Sequence, residues 1–279
     1  MRKPAVAGAF YPRRKEDIEK MLDEFERKVE ARIKKEKIPP PKKIYSCVSP
    51  HAGYVYSGFT AMHSFKFLSE CLRGKKNLLF VIVSPNHTGY GLPVSISTQD
   101  WETPVGVAEV DVEFANKILE QSSFAEKDEE AHLFEHSIEV QLPFLQHFFK
   151  EFSFVPITLM KQDYGVARDL AEAIIKTEKE TKKDVLVIAS SDFTHYELAE
   201  EAKRKDFYAI EAAEALDAKE FLRRVSEKHA SVCGFGAVAT AIEYAKKKNA
   251  RKGILMHFSD SGEITGEREV VDYASIVFV

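Results

Sequence analysis

Cysteine is scarce in this 279-residue chain, and the three that occur, Cys47, Cys71 and Cys233, are scattered and odd in number. A disulfide-stapled secreted scaffold needs paired cysteines, so that class is excluded and a reducing, cytoplasmic setting is expected. Long apolar runs are missing too. No stretch reaches the roughly 20 residues of a membrane helix, and Met1 to Phe10 holds two basic residues but no apolar core of a signal peptide. Positive charge is not in excess: 40 Lys and Arg face 44 Asp and Glu, and the net charge of −4 provides no global field for nucleic acid. Asn and Gln are few while Lys and Glu abound, a balance found in thermophile proteins. With no repeat, low-complexity tract or polar linker to divide it, residues 1–279 are expected to form one domain.

What is present describes an ordinary packed protein, 44% apolar and 30% charged. Ile18, Met21, Leu22, Phe25, Val29 and Ile33 recur at three- and four-residue spacing, which predicts an amphipathic surface helix ended by Pro39-Pro40-Pro41. A repeated grammar follows. Ile44–Ser49, Leu78–Val83 and Val185–Ile188 read as buried strands, separated by helical patterns such as Thr60–Leu72 and Leu170–Lys176. Strands alternating with helices predict an α/β fold with a largely parallel sheet covered on both faces. The end of the chain differs, because Gly253–Phe258 and Val270–Val279 around Ser261-Gly262 read as an antiparallel pair, so the sheet should be mixed.

Each of the three strands leads into a histidine: Pro50-His51-Ala52-Gly53, Ser84-Pro85-Asn86-His87, and Ser190-Ser191-Asp192-Phe193-Thr194-His195. In parallel sheets ligands bind outside the carboxyl ends of the strands, so the topology would gather these residues along one edge. Taken singly, each is equally well a loop histidine held by a backbone hydrogen bond. Asp192 and His195 suit a general acid/base pair if their loop enters a helical turn that points both side chains one way. The bland alternative is an aspartate helix cap beside an exposed histidine. A serine nucleophile lacks the G-x-S-x-G elbow. Cys233 precedes the helical pattern Ala237–Ala245, where a helix N-terminus favours thiolate, although for an isolated cysteine the reading as a small buried residue wins.

His132, Glu135, His136 and Glu139 form a further group before Ile138, Leu142, Leu145 and Phe149, whose spacing marks a core helix kinked or delayed by Pro143. His132 and His136 have metal-ligand spacing without the H-E-x-x-H pattern, and Glu135 and His136 are candidate pocket residues. Trp101 either flanks the pocket or anchors a hairpin. His63, His147, His229 and His257 read as surface or satisfied structural residues.

Seven strings, in order along nearly the whole chain, resemble the Memo family. They are Ala7–Pro12, Pro50–Gly58, Pro85-Asn86-His87, Trp101–Gly106, Glu135–Phe144, Ser190–His195 and Cys233-Gly234. The resemblance implies a three-layer α/β/α fold similar to class III extradiol dioxygenases, and a dioxygenase-like metal site. It implies His51, His87 and Cys233 as metal ligands, with His195 as acid/base and Asp192 behind it. A two-histidine, one-thiolate set suits iron or copper, with zinc as a redox-silent third; no nucleotide cofactor is expected. Members in archaea and bacteria carry the label AmmeMemoRadiSam system protein B, which implies a radical-SAM protein among the partners. Eukaryotic members are described as binding phosphotyrosine peptides. Two further readings stand beside a redox-active metal protein: a module that binds a peptide in the same pocket, and a true extradiol dioxygenase, disfavoured because a cysteine occupies the place of its carboxylate. Neither nucleic acid nor a membrane is an expected partner.

Overall fold

The computed structural model describes residues 1–279. Eleven strands join in one sheet: β1 (Ser46–Ser49), β2 (Leu78–Pro85), β3 (Val94–Ile96), β4 (Trp101–Thr103), β5 (Gly106–Val110), β6 (Glu126–Lys127), β7 (Phe152–Leu159), β8 (Val185–Ser190), β9 (His195–Leu198), β10 (Gly253–Asp260) and β11 (Glu269–Phe278). The main path runs β10-β11-β1-β8-β2-β7-β3-β6. Its centre, β1-β8-β2-β7, is parallel, and antiparallel β10-β11 and β3 flank it, so the sheet is mixed and mostly parallel at its core.

Continuous apolar sequence made the central strands identifiable, and both faces of each are covered: all eight residues of β2 are buried. On one face lie α1 (Lys15–Glu36), α2 (Tyr54–Cys71) and, later in the chain, a short helix at Leu142–Phe148. Ile18, Leu22, Phe65, Leu68, Phe144 and Leu145 join strand residues Phe80 and Ile188 in that core. With α3 (Val112–Gln121) preceding it, the short helix is α4, and α5 (Tyr164–Thr181), α6 (Ala199–Glu214), α7 (Ala218–Glu227) and α8 (Phe235–Lys247) follow; a single turn, α9 (Gly262–Thr265), sits in the terminal hairpin. Helices α3 and α5 to α8 cover the opposite face, where Phe114, Leu170, Ile210, Phe221 and Ile242 pack on Val81, Val83 and Val187. The layering is α/β/α, as expected.

Details refine the sequence reading. Helix α1 ends at Lys37, whose left-handed φ of 54° closes it before the prolines. Pro143 falls in the first turn of α4, where its missing N–H has no carbonyl to meet, so that helix starts late instead of kinking. Helix α2 begins at Tyr54, six residues before the apolar pattern alone indicated. Trp101 anchors the β4–β5 hairpin, fully buried, with the Arg2 guanidinium 4.0 Å above its ring.

Register positions the site. Ser49 of β1 pairs with Ser190 of β8, and Val83 of β2 with Ala189, so three strands end nearly level. His51, His87 and Asp192 leave from that common edge.

Candidate metal centre

His51 is buried just beyond β1. Its Nδ1 lies 2.9 Å from Ser190 Oγ, whose single proton goes to the Ser137 carbonyl at 2.7 Å, so the imidazole must be the donor. That fixes the proton on Nδ1 and leaves Nε2 with a free lone pair. Gln141 Nε2 donates to the same hydroxyl at 2.8 Å. Burial first, then the neighbouring His136, His87 and His195, push His51 well below the ordinary histidine range, so the ring is neutral.

Glu135 organises the other two rings. Its carboxylate accepts from the His87 backbone N–H at 2.6 Å and from His87 Nδ1 at 3.0 Å, and lies 3.3 Å from His136 Nδ1. It also accepts from the Ser137 N–H. Burial raises the Glu135 carboxyl, but these bonds and the histidine charges outweigh it and bring it down to about 2. For His87 burial pulls downward, and the Glu135 hydrogen bond and charge carry it above the ordinary value. His136, dominated by burial, falls to about 4. The rings meet closely: His87 stacks on His136 with centroids 4.7 Å apart, and His51 stands edge-on to both at 5.2 and 5.4 Å.

Ligand atoms of His51, His87 and His136 all lie within 4.8 Å of one another, a group that could hold a metal ion. The donor set fits one. Each imidazole has Nδ1 committed to, or facing, an oxygen acceptor, the arrangement that orients histidine ligands and raises their basicity.

The sequence reading gave Cys233 the third place and His136 a pocket role. In the structure the third converging ring is His136. Cys233 stands beside the cluster, its Sγ 3.2 Å from His51 Nε2 and accepting from the Asp192 backbone N–H at 3.2 Å. Cys233 does sit just before α8, which begins at Phe235, but burial, then the Asp192 charge, push the thiol well above its ordinary range, against the thiolate form in the metal-free site.

Asp192 and His195 are near the cluster but not bonded to each other. Residues 191–194 are not helical and His195 opens β9, so the aligned pair that a helical turn would give is not formed. Asp192 Oδ1 accepts from the backbone N–H groups of His51 and Ala52 at 2.7 and 3.3 Å, and Oδ2 lies 4.0 Å from His51 Nε2. Its burial raises it to about 6, against the pull of the His51 N–H. Ser231 orients His195 instead: its hydroxyl accepts from the His195 backbone N–H at 2.7 Å and its carbonyl from Nδ1 at 2.8 Å. Sequence reasoning passed over Ser137, Gln141 and Ser231 as actors, and weighed Ser190 only as a nucleophile. Gln141 alone left a trace, a polar residue inside the apolar series of residues 138–145. His63 and His257, read as structural, stack on each other at 4.3 Å, and His132 packs edge-on to Trp101.

Fold and site together define a class: a three-layer α/β protein with a cluster of three imidazoles at the carboxyl edge of its parallel strands. A family model described as Memo-like protein matches residues 2–277. MEMO1 family proteins of Archaeoglobus fulgidus and Aquifex aeolicus are 44% and 41% identical over 278 and 285 aligned residues, each match covering 100% of this chain and 99% of the relative. The chain belongs to the Memo family. A solved structure, an uncharacterized protein from Escherichia coli K12, is similar with TM-score 0.53 at 10% identity, covering 85% of this chain and 100% of the other; it bears on the fold alone. No helix is long and apolar enough to cross a membrane.

Proposed function

We propose that this protein is a non-haem metalloprotein acting in redox chemistry on a small molecule, its ion held by His51, His87 and His136, with Cys233 beside them. The observation that carries this reading is the convergence of three imidazoles, each backed at Nδ1 by an oxygen acceptor. Iron or copper is the ion proposed; nitrogen donors with a nearby thiol suit either, and zinc would make the centre redox-silent. When bound, such an ion would supply Lewis acidity and an electron-transfer partner.

The chain's own groups set the rest. Burial keeps His51 and His136 neutral, as ligation requires. His195, with its proton held on Nδ1 by the Ser231 carbonyl, presents Nε2 to accept a proton. Asp192 steadies the His51 turn from below. A two-histidine, one-carboxylate centre is disfavoured, because Glu135 is committed to His87 and Ser137 and Asp192 to backbone amides.

The test is elemental analysis of anaerobically purified protein, wild type beside His87→Ala, His136→Ala and Cys233→Ser. Near-stoichiometric iron or copper, lost in both histidine variants, supports the reading; zinc alone removes the redox part. No metal bound or taken up in any preparation sinks it. A second reading, a peptide-binding module, draws on exposed aromatic side chains near the site residues in sequence, among them Tyr56, Tyr90, Phe134 and Tyr196. Peptide affinity that survives chelation would favour it.

A further inference from the structure

His51 and His87 follow directly from sheet strands, but His136 does not. Residues 133–138 belong to no strand or helix, lying between short turns at Glu130–His132 and Glu139–Gln141. Such a stretch needs partners for its backbone carbonyls. Arg2 supplies them. Its buried guanidinium donates from Nε to the His132 carbonyl at 2.6 Å, from Nη2 to the Glu135 carbonyl at 2.7 Å, and from Nη1 to the Glu139 carboxylate at 2.7 Å. The Arg2 backbone is pinned in turn by Asp100 and Glu102 on either side of Trp101. Glu139 also accepts from the N–H groups of Ala5 and Val6 and from the Tyr11 hydroxyl, so it ties the same arm to residues 5–11. At the end of that segment the Phe10 ring packs on His136 with centroids 4.5 Å apart.

We propose that segment Arg2–Tyr11 completes the site, with Arg2 the positioning residue for His136 and Glu135 and Phe10 the wall that sets the His136 ring. This rests on the metal-centre reading for its effect on affinity, but the positioning itself does not need an ion. The guanidinium reaches the carbonyl of Glu135, one peptide from His136, so losing its fork frees the residue that carries the third imidazole and the carboxylate behind two of them. A lysine keeps the charge opposite Glu139 and cannot span both carbonyls. The motif at residues 7–12 thereby acquires a role that its small and aromatic residue types do not announce.

The experiment titrates cobalt(II) into wild type, Arg2→Lys, His136→Ala and the double variant, with thermal melting to confirm folding. Arg2→Lys is expected to weaken cobalt(II) binding by about 10-fold or more, in the range for groups that orient ligands. In the His136→Ala background the same change should add distinctly less, since only the path through Glu135 to His87 remains. A full additional loss there, or no loss in Arg2→Lys alone, overturns the proposal. Amide exchange of metal-free protein gives a second readout: the Ser137 and Val140 amides should exchange about 10-fold faster in Arg2→Lys, with β1 and β2 unchanged. If wild type takes up no cobalt(II), the metal-centre reading fails, and the exchange result alone decides on Arg2. Should Arg2→Lys not fold, Phe10→Leu goes through the same cycle, and additivity with His136→Ala overturns the proposal equally.

Discussion

Glu135 grips His87 twice, at the backbone N–H and at Nδ1, with a carboxylate that is itself wholly buried. One oxygen pair thus fixes both where the chain of the 86–89 loop runs and how its imidazole is turned. The second ring beside it, His136, has its Nδ1 3.3 Å from the same carboxylate.

Glu135→Gln should therefore weaken divalent metal binding by about 10- to 100-fold, the usual effect of removing a ligand-orienting carboxylate. In the metal-free protein it should also lower the His87 titration midpoint, because Glu135 is what holds that histidine above its ordinary value against burial. Proton NMR of the imidazole resonances reads the midpoint directly. An unmoved His87 would mean that Glu135 is not its partner in solution.

Gly234 lies where the Cys233 segment crosses the end of β8. A Cβ there would sit 2.6 Å from the Ser190 carbonyl oxygen and 2.7 Å from Ser191 Cβ, closer than backbone can tolerate. Gly234→Ala is expected to cost about 1–3 kcal/mol in urea unfolding, the range for overpacking a tight interior. It should also move Cys233 away from His51. Unchanged stability would show that the two segments can part without cost.

Two histidines away from the site set an acid limit. Burial lowers His63 to about 3, helped by His257, and lowers His132 to about 4, helped by Arg2. Unfolded, both titrate near 6.5. Between about 6.5 and 4 the unfolded chain binds protons that the folded chain refuses, so stability falls as pH falls. Each contributes a slope of about 1.4 kcal/mol per pH unit across that window. Proton NMR titration of the His63 and His132 imidazoles in metal-free protein from pH 7 to 4 checks this; either ring taking its proton near 6.5 would contradict two neutral buried rings.

Asp272 of β11 presents a buried carboxylate that no N–H or hydroxyl of another residue reaches. It lies against Asp206 of α6, which holds Thr194 by the backbone N–H at 2.9 Å and the hydroxyl at 2.6 Å. Burial and then the Asp206 charge raise Asp272 to about 9, so it carries the proton of the pair at neutral pH. A raised carboxyl stabilises the fold most below its unfolded value near 3.8, and that contribution is lost progressively as pH climbs to about 9. Asp272→Asn keeps a donor toward Asp206 without a charge to lose. The variant should gain about 1 kcal/mol or more at pH 8 relative to wild type, and its stability should depend less on pH above neutrality. A variant less stable than wild type at pH 8 would contradict the shared proton.

Period and composition determined much of this protein. Unbroken apolar runs such as Leu78–Val83 can only be strands covered twice, and their alternation with helical patterns specifies a parallel core and two helical layers. Because such strands end at one edge, the chain itself indicated that His51 and His87 would meet. Tertiary structure decided what stands third. His136 arrives on an irregular arm whose path depends on Arg2, more than a hundred positions away, and irregular backbone leaves no periodic trace in sequence. The same limit hid the partner of His195. Asp192 is nearer in sequence, but the non-helical backbone between them turns the carboxylate to His51 and leaves the imidazole to Ser231. Spacing names the residues that can meet; the direction in which each side chain leaves its backbone is set by packing, and that is written only in three dimensions.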